Sequence, residues 1–181
     1  MKKITEGLFE LMSVLASAVV AIALIFTLFF RLTTVSGTSM VPTLQNLDRL
    51  ITTAYTSEFE YKDIVIVVEP NEELYEPIIK RVIATEGQWV NVDYDTGLVY
   101  VGDSPETMVA LEEDYTASLT TERPWSDRNE YPVQVPENSY FCMGDNRNHS
   151  TDSRSYMVGF VDESYILGKA IFRISPFGSI Y

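Results

Sequence analysis

The sequence predicts a mainly β fold, an antiparallel-sheet domain tethered by one N-terminal transmembrane helix, and three observations carry that expectation. Residues 11–30 read LMSVLASAVVAIALIFTLFF, 20 positions without a charge. At 1.5 Å rise per residue such a helix is about 30 Å long, the thickness of a bilayer's hydrocarbon core. Beyond residue 31 no long helical period follows; short runs of β-branched and aromatic residues alternate with polar or Pro/Gly punctuation. Between two of these runs, Asp95-Thr96-Gly97 is a hairpin signal, with Gly where a positive φ is needed.

The apolar run is longer than the core of a cleavable leader. The residues after it, Arg31, Leu32, Thr33, Thr34 and Val35, offer no small-x-small cleavage site, so a retained anchor is expected. Lys2 and Lys3 precede the span and Arg31 closes it. The positive-inside rule therefore puts the N-terminus in the cytoplasm and the body of the chain outside. This divides the chain into residues 1–31, cytoplasmic end plus anchor, and an extracytoplasmic domain of residues 32–181. Three basic and two acidic residues leave +1 on the first part, while ten basic and 24 acidic residues leave −14 on the second. The mean hydropathy of +0.01 is thus the average of an apolar anchor and an acidic domain.

Residues 50–55, 63–68, 78–84, 89–94, 98–101, 140–143 and 169–174 are the expected strands. The run 63–68 is apolar after its first residue, which suits a strand buried on both faces. Residues 93–130 hold ten acids against Arg123 and Arg128 and read as a small, solvated acidic insertion, with a weak helix around 108–119.

A net charge of −13 excludes a nucleic-acid binder relying on a basic surface. One Cys and one His exclude an internal disulfide, a Cys-cluster zinc site and a His-rich metal centre. Cys142, inside an apolar strand, reads as a small core residue.

Three segments carry chemistry. The first, residues 35–43, contains Gly37-Thr38-Ser39-Met40 just beyond the membrane span. The second is Ile79-Lys80-Arg81-Val82-Ile83-Ala84, and the third is the polar run from Gly144 to Arg154. A serine hydroxyl attacks a carbonyl only when a base takes its proton. His149 is one candidate base and Lys80 another. A lysine serves only when neutral, so its pKa must fall by about 3, at a cost of about 4 kcal/mol. Burial among Ile78, Ile79, Val82 and Ile83 can supply that. Strand alternation sends Arg81 to the opposite face, where it stays solvated or paired.

These segments resemble the signature of the signal peptidase I family, membrane-bound Ser-Lys endopeptidases that remove signal peptides from exported preproteins. Residues 37–44, GTSMVPTL, match the nucleophile pattern G-x-S-M-x-P-T-L. Lys80-Arg81-Val82-Ile83 matches the general-base segment, and residues 144–154, GDNRNHSTDSR, match G-D-N-R-x-x-S-x-D-S-R. The order of the segments and the 41-residue spacing from Ser39 to Lys80 are similar to those of Gram-positive members.

The resemblance implies the family's antiparallel β-sheet catalytic domain, with Ser39 as nucleophile, Lys80 as general base and no cofactor or metal. It implies that Ser150 hydrogen-bonds the Lys80 amine and that Asp152, Arg154 and Arg81 or Arg147 form supporting ion pairs. Asp145 would brace the loop, and Gly144 would let the backbone approach closely. Met40, Val82 and Ile83 would line the substrate groove, and the Ser39 N–H would be an oxyanion donor. The implied partners are preprotein signal peptides, the lipid bilayer and the protein-export machinery.

His149 falls in a variable position of the loop pattern and takes no catalytic role. Gly37 stands where some relatives carry a serine hydroxyl as a second oxyanion donor. The base segment continues Ala84-Thr85-Glu86-Gly87-Gln88 instead of G-x-P-G-D, Lys62 replaces a Gly, and residues 155–158 read as a two-residue expansion. An autocleaving repressor of the SOS type would need a DNA-binding segment and no membrane span. A non-enzymatic anchored relative would have no need of both Ser39 and Lys80.

Overall fold

The computed structural model describes residues 2–53, 58–68 and 76–180. One helix, α1 (Lys2–Phe29), leads directly into strand β1 (Phe30–Thr34). Its apolar part, Phe9–Phe29, is 21 residues long and none of it is buried against the rest of the chain. An apolar helix with no protein to cover it satisfies its backbone internally and leaves its side chains for lipid. The span ends one residue earlier than expected, because Phe30 already pairs with Thr53 in the sheet.

The remaining strands are β2 (Arg49–Thr53), β3 (Ile64–Val67), β4 (Ile78–Ala84), β5 (Trp89–Asp93), β6 (Leu98–Gly102), β7 (Val109–Ala110), β8 (Val133–Gln134), β9 (Ser139–Met143), β10 (Val161–Asp162), β11 (Ile166–Ser175) and β12 (Phe177–Gly178). All seven expected runs contain a strand, though positions 54 and 55 of the first lie outside the described residues. The short strands β7, β8, β10 and β12 have two residues each, too few for any sequence period to reveal.

The pairing is antiparallel throughout. One sheet runs β1-β2-β11-β3-β4-β9-β10, with β12 on β11; a second runs β7-β6-β5-β8. Strand β3 lies between β11 and β4, and all four of its side chains are buried. That is why it reads as an unbroken apolar run. The two sheets meet over a core of Ile83, Ala84, Phe141 and Met143 from the large one and Val90, Val92, Val99 and Val101 from the small one. A second cluster, Phe59, Val65, Val82, Cys142 and Val161, fills the face of the large sheet that carries Lys80.

The hairpin between β5 and β6 turns at residues 94–97, where Asp93 accepts from the Asp95 and Thr96 N–H groups and Gly97 has φ 75°. The stretch 93–130 is not a solvated excursion. Its first half completes β5 and forms β6, whose Val99 and Val101 enter the shared core, and β7, whose Val109 stays exposed. No helix forms over 108–119; Val109–Ala110 pairs with β6 instead, and the segment beyond it is held by contacts to buried arginines.

Strand β4 positions the chemistry. It pairs with β3 over its first four residues, and its pairing with β9 starts only at Arg81. Residues 78–80 therefore have no strand partner on the β9 side among the described residues.

Candidate active site

The nucleophile candidate lies on the tight loop that follows β1. Gly37 has φ 88°, a conformation only glycine adopts without strain, and its N–H donates to Asn46 Oδ1 at 3.0 Å. Leu44 N–H closes back on the Met40 carbonyl at 2.9 Å, and Met40 and Leu44 are buried in a core shared with Leu50, Ile64 and Ile79. The loop is thus pinned on both sides of Ser39.

Alternation along β4 aims Lys80 and Arg81 in opposite directions. Lys80 Nζ lies 2.9 Å from Ser39 Oγ and donates to the Ile79 carbonyl at 2.9 Å. The lysine is only 3% exposed, and Val65 and Cys142, from the two strands flanking β4, share its face. Burial lowers its pKa from 10.5 to about 8, against the opposing pull of the Asp152 carboxylate and, more weakly, of Cys142 and Asp145. A hydroxyl in hydrogen-bond contact with a lysine that loses its proton near pH 8 has a base available to it.

The polar loop after β9 wraps around this pair. Asn146 N–H donates to the Ser39 carbonyl at 2.9 Å, and its side-chain amide to the Thr38 carbonyl at 3.1 Å. Gly144 is required sterically: a Cβ there would lie 2.5 Å from the Ser39 carbonyl and 2.3 Å from Ser150 Oγ. Ser150 Oγ is buried without a hydrogen-bond partner, so the expected contact to the Lys80 amine is not formed in this geometry. It does lie near enough to Asp152 to help lower that carboxyl's pKa.

Asp152 and Arg154 form a pair with no exposed side-chain surface, at 2.8 Å from each of two arginine nitrogens. Burial alone would raise the Asp152 pKa. The charge and hydrogen bonds of Arg154, with the Gly144 N–H at 3.0 Å, hold it below the usual carboxylate value. Arg81, on the far face of β4, binds Asp145 through Nε at 2.8 Å and Nη2 at 2.6 Å, and Asp145 accepts from Thr43 Oγ1 at 2.5 Å. The three segments are cross-linked by these bonds into one unit.

Three expected groove residues lie elsewhere. Val82 and Ile83 are 0% and 1% exposed and sit in the two hydrophobic clusters on either side of β4; Met40 is 2% exposed and packs under the nucleophile loop. Their side chains fill cores, because both faces of this part of β4 are covered. His149 is exposed on a 3-10 turn, Arg147–His149. Cys142 is fully buried, and burial pushes its thiol pKa far up, away from reactivity.

The sequence reading missed Glu113, which pairs with Arg147 at 2.7 and 2.5 Å. No local signal marks it: Arg147 is buried and needs a carboxylate, and Asp145 and Asp152 are taken by Arg81 and Arg154, but these facts belong to the folded chain.

Comparison with known proteins identifies the family of the chain. The family model described as "Signal peptidase, peptidase S26" matches residues 8–175. The chain is 35% identical to signal peptidase I of Bacillus licheniformis over 97% of its own length and 92% of that protein's. It is 32% identical to signal peptidase I S of Bacillus subtilis, covering 97% and 93% of the two. A crystal structure of a signal peptidase I from Enterococcus faecalis aligns with TM-score 0.45 and 28% identity over 62% of this chain and 96% of that one. The protein is therefore a peptidase, a hydrolase of peptide bonds. It belongs to the signal peptidase family, peptidase S26, and is anchored to a membrane by its N-terminal apolar helix.

Proposed function

We propose that this protein is a type I signal peptidase that removes N-terminal signal peptides from exported preproteins, using Ser39 as nucleophile and Lys80 as general base. The observation that carries the reading is the 2.9 Å contact between Ser39 Oγ and a buried Lys80 amine whose pKa is lowered to about 8. Neutral Lys80 takes the Ser39 proton as Oγ attacks the scissile carbonyl, and the Ser39 N–H receives the developing oxyanion. The lysine then protonates the departing amine of the mature chain. Water deprotonated by the same amine hydrolyses the acyl-enzyme and frees the signal peptide's carboxylate. Ser150, Gly144, Asp145, Asp152, Arg154 and Arg81 support this pair without meeting the substrate.

The signal peptide lies extended along the strand edge at residues 78–80, where main-chain bonds are available, and small pockets take alanine-like side chains at the first and third positions before the cut. Residues 1–31 form the cytoplasmic end and the anchor, and residues 32–181 the extracytoplasmic catalytic domain. Anchoring raises the effective concentration of substrates held in the same bilayer.

Cleavage of a test preprotein by the purified full-length chain, with Ser39→Ala and Lys80→Ala in parallel, tests the chemistry. Both variants are expected to lose cleavage, and full activity in either rules out the dyad. Protease protection in sealed vesicles should place the catalytic domain outside; a protected, cytoplasmic domain would overturn the orientation.

A further inference from the structure

We infer that residues 113–116, in the middle of the acidic stretch, form a clamp that holds the nucleophile loop, the lysine strand and the 144–154 loop in register, with Glu113 and Tyr115 as positioning residues for Ser39 and Lys80. The inference rests on the Ser39–Lys80 reading above and adds the group that keeps the pair aligned.

One short segment reaches all three parts of the site. Thr116 forms an isolated antiparallel bridge with Pro42, three residues after Ser39. The Tyr115 ring centre lies 4.2 Å from the Arg81 guanidinium carbon, on the strand residue next to Lys80. Glu113 binds Arg147 through both of its oxygens, at 2.7 and 2.5 Å, in the loop that carries Gly144 and Ser150. The segment is internally tied as well, since Tyr115 Oη donates to Glu113 Oε1 at 2.9 Å.

Charge explains why such a segment is needed here. Arg81 and Arg147 are 2% and 1% exposed, and with Lys62 they bring three cations within 6 Å of one tyrosine ring. The negative ring face attracts each of them, and the Glu113 carboxylate neutralises Arg147. Arg81 keeps Asp145 as its counter-ion, so without Glu113 it is Arg147 that would be left a buried cation with no carboxylate partner.

The effect reaches Ser39 by short chains of hydrogen bonds. Arg81 holds Asp145, and Asp145 holds Thr43, four residues from Ser39. Arg147 Nε donates to the Gly144 carbonyl at 3.1 Å, and Asn146, between those two, donates to the Ser39 carbonyl. Close packing does not do this job, because a cleft of about 480 Å³ opens beside Pro42, Thr43, Arg81 and Tyr115. Directional contacts must therefore set the register on this side.

Steady-state cleavage of a preprotein by the full-length chain tests the clamp, with Tyr115→Leu, Tyr115→Phe and Glu113→Gln as variants and Ser39→Ala as control. Tyr115→Leu should lower kcat by about 10- to 100-fold, the cost of a misplacement near 1 Å, with KM within about twofold of the parent. Its melting temperature should stay close to the parent's while the acid limb of the pH–rate profile moves. Tyr115→Phe keeps the ring over Arg81 and should recover most of the activity, whereas Glu113→Gln should fall with Tyr115→Leu. Should Glu113→Gln fail to fold, the Leu and Phe variants of Tyr115 decide the matter alone. Parental kcat and pH profile in Tyr115→Leu overturn the clamp, as does a loss of kcat that only follows a fall in melting temperature. An active Ser39→Ala would instead overturn the dyad, a separate failure.

Discussion

Lys80 should weaken the fold at neutral pH. Its pKa is about 8 in the native protein against 10.5 for an exposed lysine, so the unfolded chain binds more protons between about pH 8 and 10.5, and below pH 8 both forms carry the proton. Protonating the buried amine therefore costs about 3 kcal/mol, at 1.36 kcal/mol per pH unit, in full below pH 8. The cost declines as pH rises from 8 to 10.5, where native and unfolded lysine are both neutral. Lys80→Met keeps the stem and removes the titration. Urea melts of the full-length chain in detergent, followed by Trp fluorescence at several pH values, read the difference. The variant should be the more stable of the two at pH 7, and the gap should shrink by about 3 kcal/mol by pH 10.5. Parallel stabilities of parent and variant across that range would refute the argument that burial depresses this pKa. On the proposed Ser39–Lys80 chemistry, this is one way an active site trades stability for activity.

The same titration predicts that cleavage rises with pH through about 8 and is lost at acid pH; a profile flat from pH 6 to 10 contradicts a lysine base. Gly144→Ala should cut kcat by about 100-fold, because the new Cβ must push the Ser39 carbonyl or Ser150 away from 2.5 and 2.3 Å; unchanged cleavage kinetics count against that close approach. Arg154→Met leaves Asp152 charged and unpaired in the interior and should cost about 3–5 kcal/mol in urea melts, with a loss below 1 kcal/mol counting against the pair. Phe141→Ala, at the junction of the two sheets, should lose about 3–5 kcal/mol of stability by the same assay; a smaller loss would mean that the junction closes over the cavity.

Local patterns were legible where one segment contains its own reason. Residues 11–30 announce a helix by length and lack of charge, and 63–68 announces a doubly covered strand because Ile64 and Ile66 enter one hydrophobic cluster and Val65 and Val67 another. The Ser39, Lys80 and Gly144–Arg154 segments could be read from their residue order. Illegible were the partners chosen across long separations. Glu113 is one of ten acids in its stretch, and nothing local marks it as the one that meets Arg147, 34 residues away. Val82 and Ile83 look like groove residues beside the candidate lysine, yet Ile83 is covered by the small sheet and Val82, on the other face, by Phe59, Val158 and Val161.

The sequence alone determined the anchor, the β class, the acidic charge of the domain and the residues able to do chemistry, because each follows from side-chain type and near spacing. Only the tertiary structure decided that Lys80 sits 2.9 Å from Ser39 in a desolvated site and that Glu113 and Tyr115 reach Arg147 and Arg81. The lowered pKa and the pairing of buried charges both depend on which atoms exclude water from a given point. That is set by chain segments far apart in sequence, and no single segment carries it.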